Sequence, residues 1–284
     1  MARPLIMLSV VLVYVAGTVI AWSKGVAFDG VSFTWGLAAV LVALLSIHYT
    51  NEFADFETDA LTQRTPFSGG SGVLPSGRVS RQVAWIAAWV MLILSLLVAG
   101  VAWITDIFPF ISVVVLVLGL FGGWMYSLPP LKLAWRGWGE IDNAILGGLL
   151  LPMFGYSVQS GQIDWLIVSA CLPFTILVFV NLLATTWPDR HADTQVGKYT
   201  LATRLPTQTL RWIYVIAVSL SLVLLLLIPR SLLPDVVVLM GLPALPFLIW
   251  GGVTYTRRES PFPMVAAMMT LLVGHMAGWL IIGM

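Results

Sequence analysis

The sequence predicts an all-α integral membrane protein of nine transmembrane helices, and three observations predict it. The chain is 59% hydrophobic and only 10% charged, with a mean hydropathy of +0.96, where soluble domains hold about 45 to 50% apolar residues. Apolar runs near the bilayer-spanning length of about 20 residues recur nine times. Basic residues then gather almost wholly on one side of the implied topology. Thirteen Trp and sixteen Pro suit interfacial belts and broken helices. The single Cys171 lies in an apolar run and forms no internal disulfide, and a net charge of +1 argues for no nucleic-acid partner.

The spans are expected near residues 4–22, 34–58, 82–104, 107–127, 138–157, 162–187, 209–228, 233–255 and 264–283. The first follows Arg3, as a signal peptide would, but its apolar run exceeds an h-region of about 7 to 15 residues and lacks a clear small-residue cleavage site. It is read as a span. The loops after spans 1, 3, 5 and 7 are short, those after spans 2, 4, 6 and 8 long, and the whole of 1–284 reads as a single multi-pass membrane domain. Of 14 basic residues, 12 fall on the side of the N-terminus and the long loops, and only Lys24 and Arg230 on the other. By the positive-inside rule the N-terminus and long loops are cytoplasmic and the C-terminus is outside. Acidic residues divide 9 to 4 in the same direction, although carboxylates contribute little to orientation, so the cytoplasmic face is the candidate active face.

Two acidic motifs stand out there. If the second helix continues through Asn51, Asp55 and Asp59, residues four apart advance about 40° and share one face. The second motif, Asp189 and Asp193, comes 134 positions after Asp55, again at the end of a long apolar helix. Superposing the two also places Arg64 on Lys198, each five past the second carboxylate. This register hints at a four-helix repeat plus one extra span. A single Asp at a membrane helix end can simply mark the interface, but like charges one turn apart repel unless a cation binds between them. Oxygen ligands with no matching His or Cys point to Mg²⁺ or Mn²⁺. Magnesium takes few protein carboxylates and completes its shell with water and phosphate oxygens, so two sparse sites facing each other imply a diphosphate between them.

The loop from Arg64 to Gly72, with Ser68 and its glycines, offers backbone amides to an anion or is simply a flexible turn. Pro129 and Pro130 end the fourth helix and could turn Lys132 toward the site; the alternative is a lysine that only marks topology. His48, His191 and His275 are three further polar positions, of which His275 sits among small residues suited to helix packing.

Asn51-x-x-x-Asp55-x-x-x-Asp59, Tyr126-Ser ahead of Lys132, Gly139-Glu140, and Asp189-x-x-x-Asp193-x-x-x-Gly197-Lys198-x-Thr200 together resemble the UbiA superfamily of intramembrane prenyltransferases over essentially the whole chain. The stretch from Arg64 to Ser71 and Gly137-Trp-Gly-Glu140 are most similar to its menaquinone-type, 1,4-dihydroxy-2-naphthoate branch. Two positions depart from the pattern. Thr185 stands where an Asn is common, with Asn181 one turn earlier as a possible replacement ligand, and Glu52 follows Asn51 where Asp is common.

The resemblance implies a helical bundle with a central cavity. It implies Mg²⁺-dependent transfer of a prenyl group from an isoprenoid diphosphate to a lipophilic or aromatic acceptor within the lipid bilayer. Asn51, Asp55, Asp59, Asp189 and Asp193 would hold the metal, the four aspartates being the catalytic set. Arg64, Ser68, Tyr126, Lys132 and Lys198 would contact the diphosphate. Benzoate-using relatives supply an arginine from the first helix for the acceptor's carboxylate; here Pro4 to Trp22 contains no Lys or Arg, which favours a naphthoate acceptor. Other acceptors (hydroxybenzoate, homogentisate, another lipid) and a terpene cyclase on the same scaffold stay open. A cation transporter would want its sites nearer the bilayer midplane.

Overall fold

The computed structural model describes residues 3–62 and 69–284, and the described residues form helices and no strands. Nine of the helical stretches among them are long and apolar enough to cross a membrane: Pro4–Ser23, Gly30–Ala54, Arg81–Ile104, Phe110–Ser127, Gly139–Ser160, Trp165–Thr185, Thr207–Leu227, Asp235–Thr254 and Phe262–Gly283. The protein is therefore a multi-pass membrane protein.

Local chemistry sets the ends. The second span begins four residues before the expected 34, because the Asp29 carboxylate accepts from the amides of Val31 (3.1 Å) and Ser32 (3.2 Å) and so starts the helix early. Asp164 caps the sixth in the same way through the Ile167 amide at 3.1 Å. The fifth span is irregular where a regular helix was expected: Gly139–Asn143 runs into a π turn, Ala144–Leu150, before Leu151–Ser160 resumes. Proline breaks the ladder in the sixth and eighth spans. The eighth passes through a 3₁₀ turn at Leu242–Ala244, and in the sixth the Pro173 carbonyl accepts from the Ser221 hydroxyl at 2.9 Å.

The first span lies between the fifth and the ninth, and the sixth packs on the fifth, seventh and ninth. A Cβ at Gly17 would collide with the Pro152 carbonyl, and one at Gly155 with the Tyr14 carbonyl, so the first and fifth backbones touch through two glycines. Burial distinguishes the centre from the periphery. In the sixth span 56% of the apolar window is buried and in the third only 22%, which makes the sixth central and turns the third toward lipid. One cavity of about 30 Å³, room for about one water, lies between the first, fifth, sixth and ninth spans beside Val13, Cys171, Phe174 and His275.

The N-terminus and the loops after the second, fourth, sixth and eighth spans meet at one rim. Arg3 Nη2 stands 3.7 Å from Glu52 Oε1, the Tyr199 amide donates to the Trp135 carbonyl at 3.1 Å, and Arg190 Nη2 pairs with Glu259 Oε1 at 3.2 Å.

Candidate functional site

The first acidic motif does not ride on one straight helix, as the sequence suggested. The second span stops at Ala54, Asp55 turns out of the helix (φ −91, ψ 13), and a separate helix, Phe56–Leu61, follows. The register survives the break, since Asp55 N bonds Asn51 O and Asp59 N bonds Asp55 O, both at 2.8 Å. Arg81 holds the bend in place: its Nε donates to the Phe53 carbonyl at 2.9 Å, and its guanidinium lies 4.5 Å from the Phe53 ring centroid and 5.6 Å from that of Phe56. The carbonyl is thereby satisfied by a side chain where the helix no longer serves it.

The second motif is likewise detached from its span. The sixth helix ends at Thr185 rather than 187, because Pro188 has no N–H to continue the ladder. Asp189 becomes the N-cap of a new short helix, Arg190–Gln195. Asp193 N bonds Asp189 O at 2.9 Å, and Lys198 N then bonds Asp193 O at 2.8 Å across Gly197, which takes the left-handed turn (φ +73). This turn aims Lys198 back over the carboxylates.

Lys198 joins the motifs. Its Nζ lies 3.0 Å from Asp55 Oδ2 and 3.6 Å from Asp193 Oδ1, while Asn51 Nδ2 donates to Asp55 Oδ2 at 3.0 Å and to Ser127 Oγ at 3.3 Å. All of these groups are largely withdrawn from solvent, Asp193 being only 1% exposed. Burial acts against the charged lysine, but Asp55 and Asp193 outweigh it and hold the ammonium above its ordinary range. The carboxylates shift upward as well. Asp59 is pushed up to about 7 by burial and then by Asp55 and Glu52, and Asp193 to about 7, chiefly by burial.

Asp59 has a different neighbour. Gly70, in the left-handed region (φ +63), sits so close that a Cβ there would collide with the Asp59 carboxylate. The loop is held in that position by Glu52, which is 2% exposed and accepts from Ser71 N at 2.6 Å and Ser71 Oγ at 2.5 Å.

Tyr126 interacts electrostatically with Lys198. Lys132 adopts a left-handed conformation (φ 47) and lays its ammonium 4.4 Å from the Trp135 ring centroid. Asn181 keeps a buried Oδ1 without a hydrogen bond, whereas the Thr185 hydroxyl is spent on the Leu182 carbonyl at 3.1 Å. Arg64 and Ser68 lie outside the described residues. Three residues quoted only as parts of motifs prove to have partners of their own. Ser127 accepts from Asn51, Ser71 donates to Glu52, and Glu140, 1% exposed, accepts from the Leu201 amide at 3.0 Å and so fixes the stretch of chain just after Lys198.

Among the described residues no three His, Cys, Asp or Glu side chains form a ready-made metal cage. The residues nevertheless fit a hard divalent cation that shares its shell with a ligand. Asp55 Oδ1 and Asp193 Oδ1 are buried and accept no hydrogen bond, the donors are oxygens, and magnesium needs only one or two carboxylates when phosphate oxygens complete the shell. An ammonium already lies between the two motifs, where positive charge is wanted.

An apolar helical bundle that buries carboxylates and a lysine at a single rim, where loops from both halves of the chain converge, is a membrane-embedded enzyme. The chain belongs to the UbiA prenyltransferase family, whose model matches residues 10–279. It is 25% identical over 214 residues to 1,4-dihydroxy-2-naphthoate octaprenyltransferase of Mycobacterium leprae, covering 75% of this chain and 70% of that protein. It is 26% identical over 175 residues to the chloroplastic chlorophyll synthase of Arabidopsis thaliana, a match over 60% of this chain but only 43% of that one. The fold is shared with an apo UbiA homologue from Aeropyrum pernix K1 (TM-score 0.75, 15% identity, 99% of this chain and 98% of that one). It is also shared with a UbiA homologue from Archaeoglobus fulgidus bound to GPP and Mg²⁺ (TM-score 0.68, 20% identity, 99% and 96%).

Proposed function

We propose that this prenyltransferase moves a prenyl group from an isoprenoid diphosphate to an aromatic acceptor of the 1,4-dihydroxy-2-naphthoate type, with Mg²⁺ as its cofactor. The observation that carries the reading is the convergence of Asp55, Asp193 and Lys198, which sets a fixed cation beside two carboxylates whose Oδ1 atoms accept no hydrogen bond. Asn51, Asp55, Asp59, Asp189 and Asp193 would hold the metal. Mg²⁺, when bound there, would supply positive charge to the departing diphosphate. Lys198, with Tyr126, Lys132, Arg64 and Ser68, receives the diphosphate oxygens.

In the reaction the allylic C–O bond breaks and its electron pair leaves with the diphosphate. The acceptor's ring carbon forms the new C–C bond to the prenyl carbon, and for a naphthoate substituted at its carboxyl-bearing carbon the departing CO₂ returns an electron pair to the ring. Lys198 stabilises the leaving group without reorganising, because its position is set beforehand by Asp55 and Asp193. The apolar spans keep water from the allylic cation. The positive-inside distribution supports a cytoplasmic N-terminus and site, with the C-terminus outside.

The naphthoate acceptor is supported by the first span, Pro4–Ser23, which holds no basic residue to partner a retained carboxylate, and by the Mycobacterium leprae relative. The test is a competition in membranes between 1,4-dihydroxy-2-naphthoate and 4-hydroxybenzoate with one prenyl diphosphate. Preferential prenylation of the naphthoate is expected. Labelling of the benzoate alone overturns the acceptor, and diphosphate release without any acceptor makes the protein a cyclase.

A further inference from the structure

Glu52, 2% exposed, is a buried acid near the rim that the reaction does not use. It follows Asn51 directly, about 100° further round the helix, and spends both oxygens on one residue, Ser71, through the amide at 2.6 Å and the hydroxyl at 2.5 Å. Arg3 Nη2, 3.7 Å from Oε1, is its charge partner. Two bonds from a carboxylate to one residue fix both the position and the orientation of that residue. The Ser71 hydroxyl in turn receives the Val73 amide at 3.3 Å, which continues the turn.

The residue before Ser71 is the one pressed on Asp59. Gly70 has no Cβ, and its backbone lies where any side chain would strike the Asp59 carboxylate. Asp59 stands on a short helix of six residues beyond the break at Asp55, so the long second span does not hold it rigidly. Two walls stand against that short helix, the Arg190–Gln195 helix and the loop that Glu52 grips, and it is the loop, through Gly70, that meets the Asp59 carboxylate itself.

We propose that Glu52 is a positioning residue: by holding Ser71 it seats Gly70 against Asp59 and sets the direction of that carboxylate toward the metal. The inference rests on the proposed function, because it takes Asp59 as a metal ligand. The chain thus uses two faces of one helix end, Asn51 and Asp55 toward the reaction and Glu52 toward the loop that completes it.

The test uses the full-length protein purified in detergent with geranyl S-thiolodiphosphate, a non-cleavable diphosphate, and follows Mn²⁺ binding by electron paramagnetic resonance. Glu52→Gln keeps the shape but loses the charge that grips Ser71, and Gly70→Ala pushes on Asp59 directly. Each is expected to weaken Mn²⁺ binding by about tenfold, within the range of outer-shell substitutions at metal sites. Turnover should need correspondingly more Mg²⁺ while kcat at saturating metal stays within about twofold. Ser71→Ala, which removes one of the two bonds, should give a smaller shift and serves if Glu52→Gln does not fold. Folded variants, judged by monodispersity and an unchanged Tm, that bind Mn²⁺ like the parent overturn the inference while the parent's own binding keeps the metal reading intact. A parent that binds no Mn²⁺ overturns both.

Discussion

Asp55 and Lys198, 143 positions apart in the chain, meet at 3.0 Å, so each half of the molecule contributes one member of a buried ion pair. Removing one member of such a pair leaves the other charge without compensation, a loss of about 3 to 5 kcal/mol in buried settings. Lys198→Ala is therefore expected to lower the Tm of the metal-free protein and to raise the KM for prenyl diphosphate about tenfold or more. Mg²⁺ should recover much of the lost Tm, since Asp55 and Asp193 then have a cation again. A variant with unchanged Tm and KM would reduce Lys198 to a marker of membrane topology.

Asp55→Asn and Asp189→Asn remove a charge and preserve the side-chain shape. Turnover should fall on the order of 100-fold or more in each, as when electrostatic stabilisation of a leaving group is lost. Size-exclusion behaviour should stay that of the parent. Near-normal turnover at saturating Mg²⁺ in either variant would show that the two motifs do not act on one metal-diphosphate unit.

The carboxylates of Asp59 and Asp193, both raised to about 7, make metal binding depend on pH. Mg²⁺ requires the ionised forms, so its apparent affinity should climb from pH 5.5 to about 7 and level off above. The metal-free stability should move the opposite way. A carboxylate raised from its ordinary pKa near 4 to about 7 binds more protons folded than unfolded, so stability falls as pH rises across that window and then stays flat. Parallel titrations of Mg²⁺ dependence and of Tm without metal would check both signs.

Arg81 satisfies the Phe53 carbonyl and stacks on two rings at the Asp55 bend. Arg81→Ala should destabilise the protein by about 1 to 3 kcal/mol. Arg81→Lys should recover little of it, because an ammonium cannot bond the carbonyl and face both rings as a planar guanidinium does. Thermal unfolding of the two variants side by side distinguishes a shape requirement from a charge requirement.

The nine spans were legible because hydropathy is a property of each segment alone, and the two motifs because their spacing repeats. The breaks at Asp55 and Asp189 were not read, although one left a signal: Pro188 immediately before Asp189 forbids the ladder bond that a continuing helix needs. Asp29, three residues before Ser32, was a similar unread cap. Glu52 offered less. It stood out only as a Glu where Asp is common, and its partner Ser71 lies 19 positions away across a loop whose course no local rule dictates. The π turn at Ala144–Leu150 belongs to the same class, since it reflects how the fifth span fits between its neighbours.

The contact of Gly17 with the Pro152 carbonyl bears on how the chain is made. Its partners are 135 positions apart (152 minus 17), and at about 5 to 20 residues per second the ribosome needs roughly 7 to 27 s to cover that distance. Throughout that interval the first span resides in the membrane with its glycine face turned to lipid or to the insertion machinery. The second, third and fourth spans arrive while its final berth is still missing. Close packing of the first span is thus a late event of biogenesis, begun on one side when the fifth span arrives and finished on the other only with the ninth.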